Sequence, residues 1–274
     1  MTESRTLIKN LVDTFRNNQA IQAIGLSGGD RPLPQPGKGD LDFFIYCNEI
    51  PIPQNRFKML STLEGTIEKI NVNHLNDIHW GQGDYCTFSG IDTWLLFFTT
   101  TSAQTELDNV LSGLYLDRID NDYYPIARCA MWKTMQILYD PLQIITNFKK
   151  RLEFYPPELA KLIVTHHFEA LDDTEDLERA ILRKDIFFYH YAFDIALDHF
   201  LQAIFALNLT FFPGRKRSEE IIRNFKIKPS NCIQRIQQVI ALGSQGCTLA
   251  LSFQEWQNLV KELKFLAISN EYRF

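Results

Sequence analysis

Two short runs of this sequence carry residue types that do chemistry together: Ser27-Gly28-Gly29 and, after ten intervening residues, Asp40-Leu41-Asp42-Phe43. Side chains alternate along a strand, so Asp40 and Asp42 point to one face while Leu41 and Phe43 turn into the opposite layer. Two neighbouring carboxylates repel one another, and on a strand that otherwise reads as buried they call for a cation. Paired hard oxygen ligands suit Mg²⁺, which binds through one or two carboxylates together with substrate phosphates. Gly28 and Gly29, lacking side chains, permit a tight bend whose free backbone N–H groups would hold those phosphates.

The elements that must position these residues follow from periodicity and from breakers. Over residues 4–18, Leu7, Ile8, Leu11, Val12 and Phe15 recur at helical spacing and predict an amphipathic helix. A short strand, Ile21–Ser27, runs into the glycine bend, and the three prolines and two glycines of residues 31–39 require a loop. A second strand begins at Asp40, aromatic and β-branched, and ends before Ile50-Pro-Ile-Pro53. A short helix is expected over 56–63, a strand over 67–72, and a hairpin of 85–88 and 92–98 joined by Ser89-Gly90. After Thr101 long helical patterns follow, separated by breakers at Asp140-Pro141, Pro156-Pro157, Pro213-Gly214 and Lys228-Pro229, and ending in a helix over 253–268. The reading is α+β, a small mixed sheet over 1–115 followed by an all-α helical bundle over 116–274.

Composition narrows the function classes. With 274 residues, 45% hydrophobic and 22% charged, the chain is an ordinary globular protein rather than a disordered or fibrous one. A net charge of −5 argues against nucleic acid as a partner, since phosphate binding needs clustered Lys and Arg. Five scattered cysteines without a Cys-x-x-Cys pair speak against both a zinc site and a secreted disulfide framework and fit a reducing cytoplasm. The start lacks the basic-then-apolar order of a signal peptide, and the densest apolar stretch, 186–212, is interrupted by His190, Asp194, Asp198, His199 and Asn208, so a core helix is expected there and no membrane span.

The glycine bend, the spacing and the Asp-x-Asp strand together resemble the nucleotidyltransferase superfamily with the polymerase-β-type palm. Tyr139-Asp140-Pro141, Tyr155-Pro156, the run Phe205 to Arg217 and Lys228-Pro229 are similar to landmarks of an uncharacterised two-domain branch related to aminoglycoside and lincosamide nucleotidyltransferases. The resemblance implies Mg²⁺-dependent transfer of a nucleoside monophosphate from ATP or another NTP to a hydroxyl of a small molecule. By position it assigns Asp40 and Asp42 to the metal and Ser27, Gly28 and Gly29 to the triphosphate. The third carboxylate of the family comes from a later strand, where Asp92 opens Asp-Thr-Trp-Leu-Leu-Phe-Phe and Trp94 takes the deeper position of the same face. From the helical half, Lys216 is the cation assigned to the triphosphate, with Arg215 and Arg217 as competitors.

Other polar residues admit plainer readings. His190, Asp194, Asp198 and Gln202 recur every four residues and read as a polar stripe facing water, although Asp194 or Asp198 on a cleft-facing stripe would compete with Asp92 as general base. The adjacent His166 and His167 should splay apart on a helix, against a shared metal site. The rival to an enzyme is a nucleotide-binding or protein-interaction member of the same fold without turnover, which Trp94 favours.

Overall fold

The structure is a computed structural model that describes residues 3–29, 31–63, 67–119 and 123–270, with the side chains of residues 3–5 and 7 left aside. The expected core position Leu7 therefore lies outside the described side chains. The chain divides into two compact units, one of residues 1–109 and 131–154, the other of 110–130 and 155–274. The second boundary differs from a single break near 115, because residues 131–154 return to the first unit.

The first unit holds α1 (Glu3–Phe15), β1 (Ile21–Leu26), β2 (Asp40–Cys47), α2 (Pro53–Ser61), β3 (Ile67–Asp77), β4 (Gly81–Phe88), β5 (Ile91–Thr99) and α3 (Thr100–Leu111, but for its last two residues). Next in the chain is α4 (Pro125–Thr134), whose last residues belong to this unit, as do β6 (Gln136–Tyr139) and α5 (Ile144–Arg151). The strands form one mixed sheet in the order β3-β4-β5-β2-β1-β6. β2 and β5 run parallel and the other pairs antiparallel. Ser89 and Gly90 turn the β4–β5 hairpin with positive φ at both positions, the geometry that matches strand twist.

Each face of the sheet has its own cover. On one, Leu41, Phe43, Ile45 and Cys47 of β2 and Leu95 and Phe97 of β5 pack with Leu11 and Phe15 of α1 and Leu60 of α2 in one apolar core. On the other, Phe44 stacks on Phe98 at 5.9 Å, Tyr46 meets Phe148 of α5 edge-on at 5.8 Å, and the Trp132 indole N–H donates to the Tyr46 hydroxyl at 2.6 Å. A buried ion pair fixes α2 to the sheet: Arg56 Nε donates to Asp84 Oδ2 at 2.8 Å, and its Nη1 donates to the Pro51 carbonyl at 2.7 Å. The Arg56 guanidinium also lies over the Phe97 ring, 4.9 Å from its centroid.

The second unit is helical: α6 (Pro157–Ala170), α7 (Glu175–Arg183), α8 (Ile186–Leu207), α9 (Ser218–Arg223), α10 (Cys232–Leu242) and α11 (Leu249–Ser269). The 22-residue α8 is its axis, packed by α6, α7 and α11. Phe193 and Phe200 of α8 hold Trp256 of α11 at 5.1 and 5.2 Å, and Tyr189 donates its hydroxyl proton to Ser252 at 2.8 Å. The apolar stretch is thus a core helix, and among the described residues no helix is long and apolar enough to cross a membrane.

Candidate functional site

The glycine bend leaves the end of β1. Leu26 pairs with Phe43, and the next residue, Ser27, donates its backbone N–H to the Asp42 carbonyl at 3.0 Å and its hydroxyl to Asp42 Oδ2 at 3.2 Å. Gly28 then takes φ 98° and Gly29 φ 62°, the left-handed region that a residue with a Cβ enters only at a cost. A Cβ on Gly28 would meet nothing within 4 Å, whereas one on Gly29 would come within 3.1 Å of the Thr134 carbonyl oxygen. Ser27 is therefore tied directly to one of the two acids, and the bend is bordered by the C-terminal end of α4. Residues 31–39 form no helix or strand, as their prolines demand.

The register of the parallel pair decides which acids share a face. Asp40 lies opposite Asp92 and Asp42 opposite Trp94, so Asp40, Asp42, Asp92 and Trp94 project from the same side of the sheet. Asp40 and Asp92 are exposed and Asp42 is half-buried. Deeper on that face come the buried Phe44 and Tyr46, so it passes from acidic at the start of β2 to closed and aromatic within four residues.

Asp92 has a neighbour that sequence reasoning missed. The Tyr85 hydroxyl donates to Asp92 Oδ1 at 2.6 Å, and that bond raises the Tyr85 phenol above its ordinary pKa. Tyr85 pairs with Trp94 across the hairpin, their rings 5.3 Å apart, and His74 of β3 lies 5.4 Å from Trp94 and 5.7 Å from Tyr85. The third acid is thus hydrogen-bonded to one member of a cluster of three rings. The hairpin alternation places Tyr85 and Trp94 on one side; the approach of His74 depends on the irregular β3–β4 register.

Three carboxylates on one exposed stretch of sheet supply the hard oxygen donors that Mg²⁺ takes. Asp40 and Asp92 lie directly opposite one another in the parallel pair, with Asp42 two residues along the same face. An ion held by one or two of them and completed by phosphate oxygens is the arrangement that this spacing fits.

Lys216 belongs to the second unit and is exposed, in the turn before α9. Its neighbour Arg215 is engaged within that unit: Nε donates to Asp198 Oδ1 at 2.6 Å and Nη1 donates to Asp194. The polar stripe of α8 does not face water throughout. Asp198 and Gln202 are each only 4% exposed, because α8 is surrounded by other helices. Asp198 also accepts the Tyr124 hydroxyl proton at 2.6 Å and pairs with Arg118 at 3.0 Å. Burial, with that hydrogen bond, pushes the Tyr124 phenol up to about 12. A carboxylate held by three donors is a fixed counter-ion, which removes Asp198 as a competitor for general base.

The histidine pair also departs from expectation. The rings of His166 and His167 on α6 stay 5.0 Å apart, and Asp117, in the segment after α3, comes close to both. His166 Nε2 lies 2.8 Å from Asp117 Oδ2, and His167 Nδ1 lies 3.9 Å from Asp117 Oδ1. Burial, with the charges of His199 and His166, pushes the His167 imidazole down to about 3, so it is neutral at pH 7. Asp117, His166 and His167 offer three ligand atoms that all lie within 4.8 Å of one another. The sequence signal was hidden because Asp117 is about fifty residues away in an irregular segment.

Residues 124–217 match the model of a domain family of unknown function, DUF4037. That span contains Tyr124, both histidines, Asp198 and Arg215. No curated protein matches. Among solved structures, the chain is similar to a nucleotidyltransferase-like protein from Exiguobacterium sibiricum 255-15, with a TM-score of 0.50 at 11% identity, over 98% of this chain and 78% of that one. The chain has a nucleotidyltransferase-like α+β fold.

Proposed function

We propose that the protein is a Mg²⁺-dependent nucleotidyltransferase that moves a nucleoside monophosphate from ATP or another NTP to a hydroxyl of a small molecule. The observation that carries this reading is the register that puts Asp40, Asp42 and Asp92 on one face, with the Ser27-Gly28-Gly29 bend hydrogen-bonded to Asp42. Asp40 and Asp42 would hold the metal, which when bound supplies charge neutralisation on the phosphates. Backbone N–H groups of the bend would face the triphosphate, and Lys216 is assigned to it by resemblance alone. In the transfer, the acceptor oxygen forms a bond to the α-phosphorus, the α–β anhydride bond breaks and pyrophosphate leaves. Asp92 takes the proton from the acceptor hydroxyl. The rings of Tyr85, Trp94 and His74 offer faces on which a planar base or acceptor would stack.

The test is nucleotide stabilisation measured by thermal shift with ATP, with and without Mg²⁺, followed by pyrophosphate release over a panel of hydroxylated acceptors. Metal-dependent stabilisation and acceptor-dependent release are expected, both lost in Asp40→Asn. An unchanged metal-dependent shift in that variant would overturn the assignment. A second reading, a nucleotide-binding protein without turnover, is favoured by one feature: Asp92 already accepts a hydrogen bond from the Tyr85 hydroxyl and has Trp94 beside it. Binding without release on any acceptor, in wild type and in Tyr85→Phe alike, is its signature.

A further inference from the structure

We propose that Asp117, His166, His167 and His199 form a Zn²⁺ site in the helical unit, separate from the acids of β2 and β5. The donor atoms already stand near ligand spacing. In a tetrahedral site with metal–ligand bonds of about 2.0–2.1 Å, neighbouring ligand atoms are about 3.3 Å apart. Here His166 Nε2 lies 2.8 Å from Asp117 Oδ2, and His167 Nδ1 lies 2.8 Å from His199 Nδ1. Asp117 Oδ1 lies 3.9 Å from both His167 Nδ1 and His199 Nδ1. These distances bracket the tetrahedral edge. The edge between His166 and His199 is the longest, ring centroids 6.5 Å apart, and a swing of His166, whose side chain is 36% exposed, would close it.

The surroundings are those of a ligand set. His167 is fully buried on α6, and its Nε2 lies 3.1 Å from the Leu116 carbonyl oxygen. A carbonyl only accepts, so Nε2 carries the proton and Nδ1 presents its lone pair to the cluster, the outer hydrogen bond that orients metal-bound histidines. In the metal-free protein that lone pair accepts a hydrogen bond from the His199 Nδ1–H. On loading, His199 adopts the Nε2–H tautomer and turns the same Nδ1 to the ion. Three neutral imidazoles and one carboxylate suit zinc over the hard cations expected at the β2 acids. Asp117, 51% exposed, leaves the site open to solvent for metal entry. Arg118, which follows Asp117 in sequence, is held by Asp198 at 3.0 Å and Asp194 at 3.6 Å.

The experiment uses the full chain, stripped with EDTA and titrated with Zn²⁺ by calorimetry, with metal content read by mass spectrometry and geometry by the visible bands of Co²⁺-loaded protein. One Zn²⁺ per chain and tetrahedral Co²⁺ bands are expected. Asp117→Asn and His166→Ala, both at the solvent rim, should each weaken Zn²⁺ by at least about tenfold while leaving metal-free melting unchanged. His167→Ala removes a fully buried side chain, and the two rim variants keep the test valid if it does not fold. Asp40→Asn should bind Zn²⁺ as wild type does, which separates this site from the proposed Mg²⁺ site. Absence of stoichiometric Zn²⁺, or affinity within about threefold of wild type in both rim variants, would overturn the proposal.

Discussion

Asp40 and Asp42 are held on one side of a strand by residues that have no use for their charge: Leu41 and Phe43 are in the core, and the backbone has no freedom to turn the acids elsewhere. Asp40 also lies directly opposite Asp92 in the parallel pair, and like charges so placed are destabilising to a sheet. Asp40→Asn should therefore raise the metal-free melting temperature slightly while abolishing Mg²⁺-dependent nucleotide stabilisation; a variant that loses both, or neither, contradicts a charge kept for binding. The glycines differ in a complementary way. Gly28→Ala meets only the backbone penalty of a left-handed residue, about 1–2 kcal/mol, since its Cβ would find open space. Gly29→Ala adds crowding against the Thr134 carbonyl and should be the more destabilised of the two in urea titrations. At this scale the sequence was informative. The alternation Asp-Leu-Asp-Phe and the Gly-Gly dihedrals are local properties, whereas the Tyr85–Asp92 bond and the Asp117–histidine cluster depend on chain brought together from a distance.

Elements are fixed here by a few buried polar links. Arg56 and Asp84 are both fully buried, and the pair connects α2 to β4 across the face covered by α1. Arg56→Met leaves the Asp84 charge without its partner and should cost about 3–5 kcal/mol in chemical denaturation, most of it regained by Arg56→Met with Asp84→Leu. Failure of the double variant to recover would mean that the Arg56 bonds to Pro51 and Asn73 matter more than the ion pair. In the helical unit, Tyr124 and Asp198 make the analogous link. The Tyr124 phenol is raised to about 12 against an ordinary value of 10, so the unfolded chain releases this proton first as pH rises. Its contribution is complete below pH 10 and is lost towards pH 12; Tyr124→Phe should flatten that part of the stability profile relative to wild type. Element types were legible where patterns were long, as in α8 and α11. Helix α2 starts at Pro53 rather than Arg56 because proline at the first turn has its φ already set, and the stripe expected to face water on α8 is partly buried because periodicity gives a face but not what covers it.

At the scale of the whole molecule, the feature least legible in the sequence is the return of residues 131–154 to the sheet. Strand β6 has four residues, too few for periodicity to register, and it lies between a helix and Asp140-Pro141. Its importance is physical. β6 pairs with β1 and so covers one edge of the sheet, and Met135 packs so tightly on Gly25 that a Cβ there would approach its sulfur to 2.1 Å. Trp132 and Phe148, 1% and 2% exposed, cover Tyr46 on the face that carries the acids. Each large apolar side chain taken out of water is worth about 1.5–3 kcal/mol. Removing Trp132, Met135, Ile145 and Phe148 together, and uncovering Phe44 and Tyr46, approaches or exceeds the roughly 5–15 kcal/mol by which a domain is stable. A fragment of residues 1–115 contains every acid and glycine of the candidate site, yet it should show no cooperative thermal transition and should bind a hydrophobic dye. Residues 1–109 joined by a flexible linker to 131–154 should melt cooperatively. If the shorter fragment folds and the joined one gains nothing, the sheet needs neither β6 nor α5, and the acidic face of β2 is organised by its first hundred residues alone.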